Sequence, residues 1–203
     1  KRPADQENEM QISPVKAGIT AMLVIGLVGF LYVFISGTGK SETGSLDSYA
    51  RGEMGGFVTL TDAPAQPAMV YTDPDGGEHS LSDYRGKVIL LNLWATWCGP
   101  CVEEMPALNR LQQQMGGDDF DVVTISFDRS FDPITEFFER EGIDALPALR
   151  DASFTSHNLV GALGLPMSIL YDSRGREIGR IPAPADWDSE DAHRLVQAAI
   201  NRG

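Results

Sequence analysis

The 203-residue chain contains two cysteines, Cys98 and Cys101, three positions apart in the string Trp94-Ala-Thr-Trp-Cys-Gly-Pro-Cys101. The thiolate is the form of cysteine that attacks disulfides and binds metals, so the chemistry depends on which thiol ionises. Upstream, Val88 to Ala95 is almost unbroken apolar sequence, the pattern of a strand buried on both faces of a mostly parallel sheet. Downstream, Pro100, the spacing of Val102, Met105, Leu108 and Leu111, and the stop at Gly116-Gly117 predict a helix. Pro106 predicts a kink within it. Cys98 therefore falls at a helix N-terminus, where unpaired backbone N–H groups and the positive end of the helix dipole favour its thiolate and make it the nucleophile. Cys101 sits one turn on, able to reach back and close a disulfide as the resolving thiol.

Half of a zinc site, a structural disulfide or a chance pair are the other readings of Cys-x-x-Cys. Zinc needs further Cys or His ligands, whereas His79, His157 and His193 are scattered through the chain and read most simply as surface residues. The strand-to-helix setting favours redox chemistry, and neither a metal nor a cofactor is implied.

The string Trp94 to Cys101 resembles the active-site signature of the thioredoxin superfamily. Within it the chain is most similar to the membrane-anchored TlpA/ResA/CcmG group of periplasmic thiol:disulfide oxidoreductases, over residues 62–203. Three further residues gain meaning from that resemblance. Pro166, by spacing alone a trivial strand-start proline, matches in Gly164-Leu165-Pro166 the cis proline that the family places beside its dithiol, where the preceding backbone pairs with an extended substrate. Met167 departs from the Thr more often found after it. Glu104 shares a helix face with Cys101; a solvated carboxylate is the alternative, and the reading for Glu103. The resemblance to ResA-like proteins makes Glu104 an active-site group that, partly buried, accepts the Cys101 proton and raises the thiol pKa values. Asn92 stands where thioredoxin has a buried Asp, so the proton-handling group looks relocated. Trp97 is expected to shield the disulfide and form part of a docking surface, and Trp94 to be core.

Charge excludes some functions. Residues after 40 carry 26 acidic and 12 basic side chains, and the first 40 carry 3 and 4, for a net −13 overall. An acidic domain without a basic stripe argues against nucleic acid as a partner. With both cysteines in the motif there is no structural disulfide framework, and an ordinary apolar core must hold the domain.

Taken in order, residues 1–16 read as a polar cytoplasmic tail, and the lack of an initiator Met fits a trimmed chain. Ala17 to Gly39 holds 23 residues without a charge, enough for one transmembrane anchor and longer than the apolar region of a signal peptide, the competing reading. Lys1, Arg2 and Lys16 before the span, against Lys40 and Arg51 after it, orient the tail inward. Residues 40–61 are a tether plus a short amphipathic segment (Leu46, Tyr49, Ala50, Met54, Phe57) expected to pack on the domain or the membrane surface. Residues 62–203 form the thioredoxin-like domain. A strand at Met69–Tyr71, a turn and a strand at Glu78–Leu81 make an N-terminal hairpin. Strands follow at Asp121–Phe127 and Met167–Asp172, the latter paired with Glu177–Ile181, with a helix from Asp132 to Gly142. Residues 143–164 are the expected central insertion, with a short strand at Ala148–Arg150 and a short helix at Ser156–Leu163. A final helix is capped by Asp188. The fold class is α/β: a thioredoxin fold with an N-terminal β-hairpin and a central insertion, preceded by one transmembrane helix.

Dithiol and anchor together imply a single-pass protein of the bacterial inner membrane with its catalytic domain in the periplasm. The resemblance implies protein disulfide substrates such as apocytochrome c or copper-site proteins of an oxidase assembly pathway, and a membrane thiol reductase as electron donor. A copper chaperone holding Cu(I) between the two thiolates is the alternative. A peroxidase would carry a different local cysteine motif, and an oxidant role would differ only in potential.

Overall fold

Seven consecutive residues, Val88–Trp94, form a strand with every side chain buried. The two-residue strand period divides them between two apolar layers: Val88, Leu90 and Trp94 belong to one and Ile89, Leu91 and Leu93 to the other. The computed structural model describes residues 46–202. The tail and the transmembrane anchor expected from the sequence lie outside them, and among the described residues no helix is long and apolar enough to cross a membrane.

The strands are β1 Val58–Thr59, β2 Val70–Thr72, β3 Glu78–Ser80, β4 Val88–Trp94, β5 Phe120–Ser126, β6 Leu149–Arg150, β7 Met167–Tyr171 and β8 Glu177–Ile181. The helices are α1 Gly99–Met115, α2 Asp132–Glu141, α3 Thr155–Leu159 and α4 Glu190–Ile200. The strands form one sheet in the order β1-β8-β7-β4-β5-β6-β2-β3. Only β4–β5 and β5–β6 pair in parallel, through crossovers containing α1 and α2; the other pairings are antiparallel. The expectation of a mostly parallel sheet is therefore corrected to a mixed one. Burial on both faces, which produced that expectation, comes here from the two apolar layers and not from the direction of the strands.

The layer beneath β4 on the α1 side contains Met105, Leu108 and Leu111 of α1, Phe137 and Phe138 of α2, and Leu195 and Val196 of α4. Trp94 stacks on Phe138 and tilts against Phe137. The opposite layer is closed by Met69, Tyr71 and Leu81 of the hairpin region, with Val160 and Ala162 from the stretch after α3. The β2–β3 hairpin forms as expected and extends the sheet beyond β6. Helix α1 continues through Pro106. Helix α2 ends at Gly142, whose φ of 67° is the left-handed conformation a helix C-cap commonly takes.

Two expectations shift in detail, and a third, left between packing on the domain and on the membrane surface, resolves to the domain. The final helix is capped by Ser189, whose side chain accepts from the Ala192 N–H, while Asp188 instead pairs with Arg110. The short helix of the insertion runs from Thr155 to Leu159, starting one residue before the expected Ser156–Leu163 and ending four residues earlier. Residues 46–59 are part of the domain core: two single 3-10 turns bury Leu46 and Met54, and β1 pairs with β8. Phe57 lies on Gly179, where a Cβ would overlap the ring, so a glycine in β8 makes room for the N-terminal segment.

Candidate active site

Strand β4 delivers the chain to Trp94, three residues turn, and Cys98 becomes the N-terminal cap residue of α1. Its carbonyl accepts from the N–H groups of Cys101 and Val102. Cys98 and Cys101 form a disulfide across this first turn, with their Cα atoms 5.2 Å apart. Cys98 is 8% exposed and Cys101 not at all. A partner can therefore reach the sulfur of Cys98 first, the order in which nucleophile and resolving thiol must act.

The expected site residues converge on this turn. The Leu165–Pro166 peptide bond is cis, and Leu165 lines a groove of about 430 Å³ together with Cys98, Trp97, Phe127, Phe154 and His157. Trp97 is 63% exposed, whereas Trp94 is fully buried. Phe127 stacks on Phe154 at 5.0 Å between ring centroids and meets His157 edge-on at 6.0 Å. His157 is thus part of the groove wall, a correction to its reading as a simple surface residue. His79 is half-buried and bonded to Asp73, and His193 is half-buried in α4.

Glu104 is 4% exposed, not solvated. The strand period turns Asn92 towards α1, where its Nδ2 donates to Glu104 Oε1 at 2.7 Å and to Ser168 Oγ at 2.9 Å. Ser168 and Thr124 are the register partners of Asn92 on β7 and β5, so a row of three buried polar side chains crosses the sheet beneath the carboxyl. The backbone N–H of Ala185 donates to Glu104 Oε2 at 3.1 Å. Burial pushes the Glu104 pKa up to about 7, and the attractions of the Ala185 N–H, the Asn92 amide and the Trp187 indole N–H offset it only in part. The Trp187 Nε1 is buried without a partner in hydrogen-bond geometry, so its contribution is the weakest of the three. A carboxyl that titrates near neutrality can take a proton from a thiol and give it back.

Asp128, at the end of β5, was not singled out by its sequence context. It is 4% exposed and accepts from Thr96 N at 2.9 Å, Thr96 Oγ1 at 2.6 Å and Ser126 Oγ at 2.6 Å. It thereby ties the residue two positions before Cys98 to the neighbouring strand. The available signal was its position: a carboxylate just past the C-terminal end of a buried parallel strand, where α/β folds gather functional groups. Ala185 and Trp187, in the loop between β8 and α4, carried no such signal.

Among the described residues no cluster of three or more His, Cys, Asp or Glu side chains is arranged to hold a metal ion.

The redoxin family profile matches residues 61–181. The chain is 36% identical over 132 residues to the thiol-disulfide oxidoreductase ResA of Geobacillus kaustophilus, covering 65% of this chain and 74% of that one. It is 34% identical over 110 residues to ResA of Geobacillus thermodenitrificans, covering 54% of this chain and 63% of that one, so it spans less than two thirds of the latter protein. Among solved structures, a thiol:disulfide interchange protein DsbE from Chlorobium tepidum superposes with a TM-score of 0.61 at 26% identity, covering 68% of this chain and 96% of that one.

Proposed function

The chain belongs to the redoxin family of thioredoxin-like proteins and is of the ResA-like kind, and from that premise we propose that it is a thiol:disulfide oxidoreductase acting on protein disulfides. The observation that carries this reading is the Cys98–Cys101 disulfide at the N-terminus of α1, half-presented to a groove at Cys98 and closed at Cys101.

In the reductive direction the Cys98 thiolate attacks one sulfur of a partner disulfide. An S–S bond forms between Cys98 and the partner, and the partner's second sulfur leaves as a thiolate. Cys101 then gives its proton to the Glu104 carboxylate and attacks the sulfur of Cys98. The mixed disulfide breaks, the partner sulfur that had been bonded to Cys98 leaves and is protonated by water, and the Cys98–Cys101 disulfide remains. The partner gains two electrons and this chain loses two. Regeneration reverses the step with a dithiol donor, for which a membrane thiol reductase is our reading.

The groove supports a polypeptide partner, because its wall is aromatic and apolar; the resemblance adds that an extended chain pairs with the backbone before Pro166. We assign the domain to the periplasmic side of the bacterial inner membrane, tethered through residues 17–39, with apocytochrome c or the copper-site cysteines of an oxidase as the partner class. These assignments rest on the uncharged stretch in the sequence and on likeness to the ResA group.

The test is the reduction potential of the Cys98/Cys101 couple in the full chain. A value near about −270 mV supports a reductant, and one near about −120 mV rejects that direction in favour of an oxidant.

A further inference from the structure

Glu104 is buried, yet it lines a second pocket of about 370 Å³ whose wall includes Glu103 and Arg110 of α1, Ala185 and Asp186 of the β8–α4 loop, and Glu53 of the N-terminal segment. Glu53, Glu103 and Asp186 are exposed, so the pocket opens to solvent. Ala185, whose N–H donates to Glu104 Oε2 at 3.1 Å, lines the same pocket as Glu104. Arg110, the cation of the wall, is paired with Asp188 at 2.7 Å. On the helix itself the nearest functional neighbour of Glu104 is Cys101, one turn back. The pocket shares no lining residue with the groove at Cys98.

We propose that Glu104 exchanges its proton with solvent through this pocket, by a route separate from the groove in which Cys98 meets its partner. The proposal rests on the thiol:disulfide reading for what the proton is used for. While a partner is joined to Cys98 it covers the groove, and a proton leaving that way would have to wait for the partner to depart. An exit between α1 and the β8–α4 loop lets Glu104 take the Cys101 proton and release it while the partner is still bound. The exposed rim admits water to the pocket, and Glu104, which lines it and is held by the Ala185 N–H, is the buried acid that water can reach there.

The experiment follows hydrogen–deuterium exchange of the protonated Glu104 carboxyl by rapid-mixing infrared spectroscopy on the full oxidised chain, the band being identified by its loss in Glu104→Gln. A second sample, Cys101→Ser carrying a cysteine peptide as a mixed disulfide on Cys98, blocks the groove; a third, Glu103→Trp with Asp186→Trp, fills the pocket at exposed positions. The expected result is exchange within about twofold of the parent in the blocked sample and slower by at least about tenfold in the filled one. Exchange slowed by the blocked groove, or unaffected by the filled pocket, overturns the route. Glu103→Trp alone repeats the third arm if the double variant does not fold. No arm requires turnover, so a chain that exchanges as expected but fails to reduce disulfides would reject the functional reading and leave the route standing.

Discussion

Two neighbouring sulfurs have opposite surroundings. Around Cys98 the wall is aromatic and open, with Trp97, Phe127, Phe154 and Leu165 lining a groove together with Cys98. Behind Cys101 the surroundings are polar and set apart from the groove: Glu104 rests on the row of Ser168, Asn92 and Thr124 under α1. Apolar walls bind a partner without committing to its sequence, whereas buried polar groups tune a proton. The fold separates these tasks through the two-residue strand period and the one-turn spacing of the helix. The two carboxylates flanking the dithiol show the same division. Asp128 and Glu104 are equally buried, but Asp128 is surrounded by three donors within 2.9 Å and holds a loop, while Glu104 has two, and its burial raises its pKa to about 7.

The largest effects test the sulfurs themselves. Cys98→Ser should abolish disulfide exchange, while Cys101→Ser should retain the first attack and accumulate a mixed disulfide, seen as a mass adduct under non-reducing conditions. If the adduct forms in Cys98→Ser instead, the two sides of the comparison have been assigned in the wrong order.

Next comes the proton. Glu104→Gln should slow the resolving step by about 10² to 10⁴, the usual contribution of a positioned acid–base group, and leave formation of the mixed disulfide much less affected. The same change has a thermodynamic signature in the oxidised chain. The folded-state pKa of Glu104 is raised to about 7 from an ordinary 4.5, so the folded protein holds this proton more tightly than the unfolded one. Its contribution is fully present below pH 4.5 and is lost as the unfolded carboxyl, and then the folded one, ionises with pH rising to 7. The full swing is of order 3 kcal/mol. Unfolding curves at pH 5 and pH 8 should show parent stability falling relative to Glu104→Gln by about that amount. Parallel pH dependences would mean that Glu104 is not a buried acid in solution.

Much of this was legible before any coordinates. The run Val88 to Ala95, Pro100 and the glycine stop place both cysteines at a strand-to-helix turn by local rules alone, and the β2–β3 and β7–β8 hairpins follow from their turn residues. Glu104 and Pro166 gained a role only through family resemblance, because a carboxylate on a helix and a proline before a strand have ordinary uses. What was hidden depends on contacts distant in sequence. The sheet reads as parallel from an apolar run that looks the same in either direction. The segment from Leu46 to Phe57 docks because Gly179, more than a hundred residues later, leaves space for a ring. Asp128 gains its function only when β5 is laid beside β4 and brings it to Thr96.

That clamp is the next way to sharpen the contrast. Asp128→Ala leaves the Thr96 N–H and two hydroxyls without their acceptor and should cost about 1 to 3 kcal/mol in denaturant unfolding. Because Asp128 holds the loop and not the Glu104 network, the infrared midpoint of Glu104 should stay near 7. A midpoint that moves with Asp128→Ala would join the two carboxylates into one system and remove the distinction drawn above.

The smallest effect belongs to the groove, and it can be split into two parts. Phe154 stacks on Phe127, and it is the non-glycine residue among those described whose φ, 57°, is positive. Phe154→Ala removes the ring but keeps a Cβ in the left-handed region, whereas Phe154→Gly removes the ring and relieves that conformation, worth about 1 kcal/mol. If the ring serves to dock a partner, both variants should raise KM for an apolar disulfide peptide by the same factor, about fivefold for an aromatic contact of about 1 kcal/mol, with kcat little changed. Their stabilities should nevertheless differ, Phe154→Gly being the more stable of the two. A KM that follows stability, unchanged in Gly and raised in Ala, would show that the ring shapes the loop and does not bind the partner, leaving Trp97 and Leu165 as the docking wall beside Cys98.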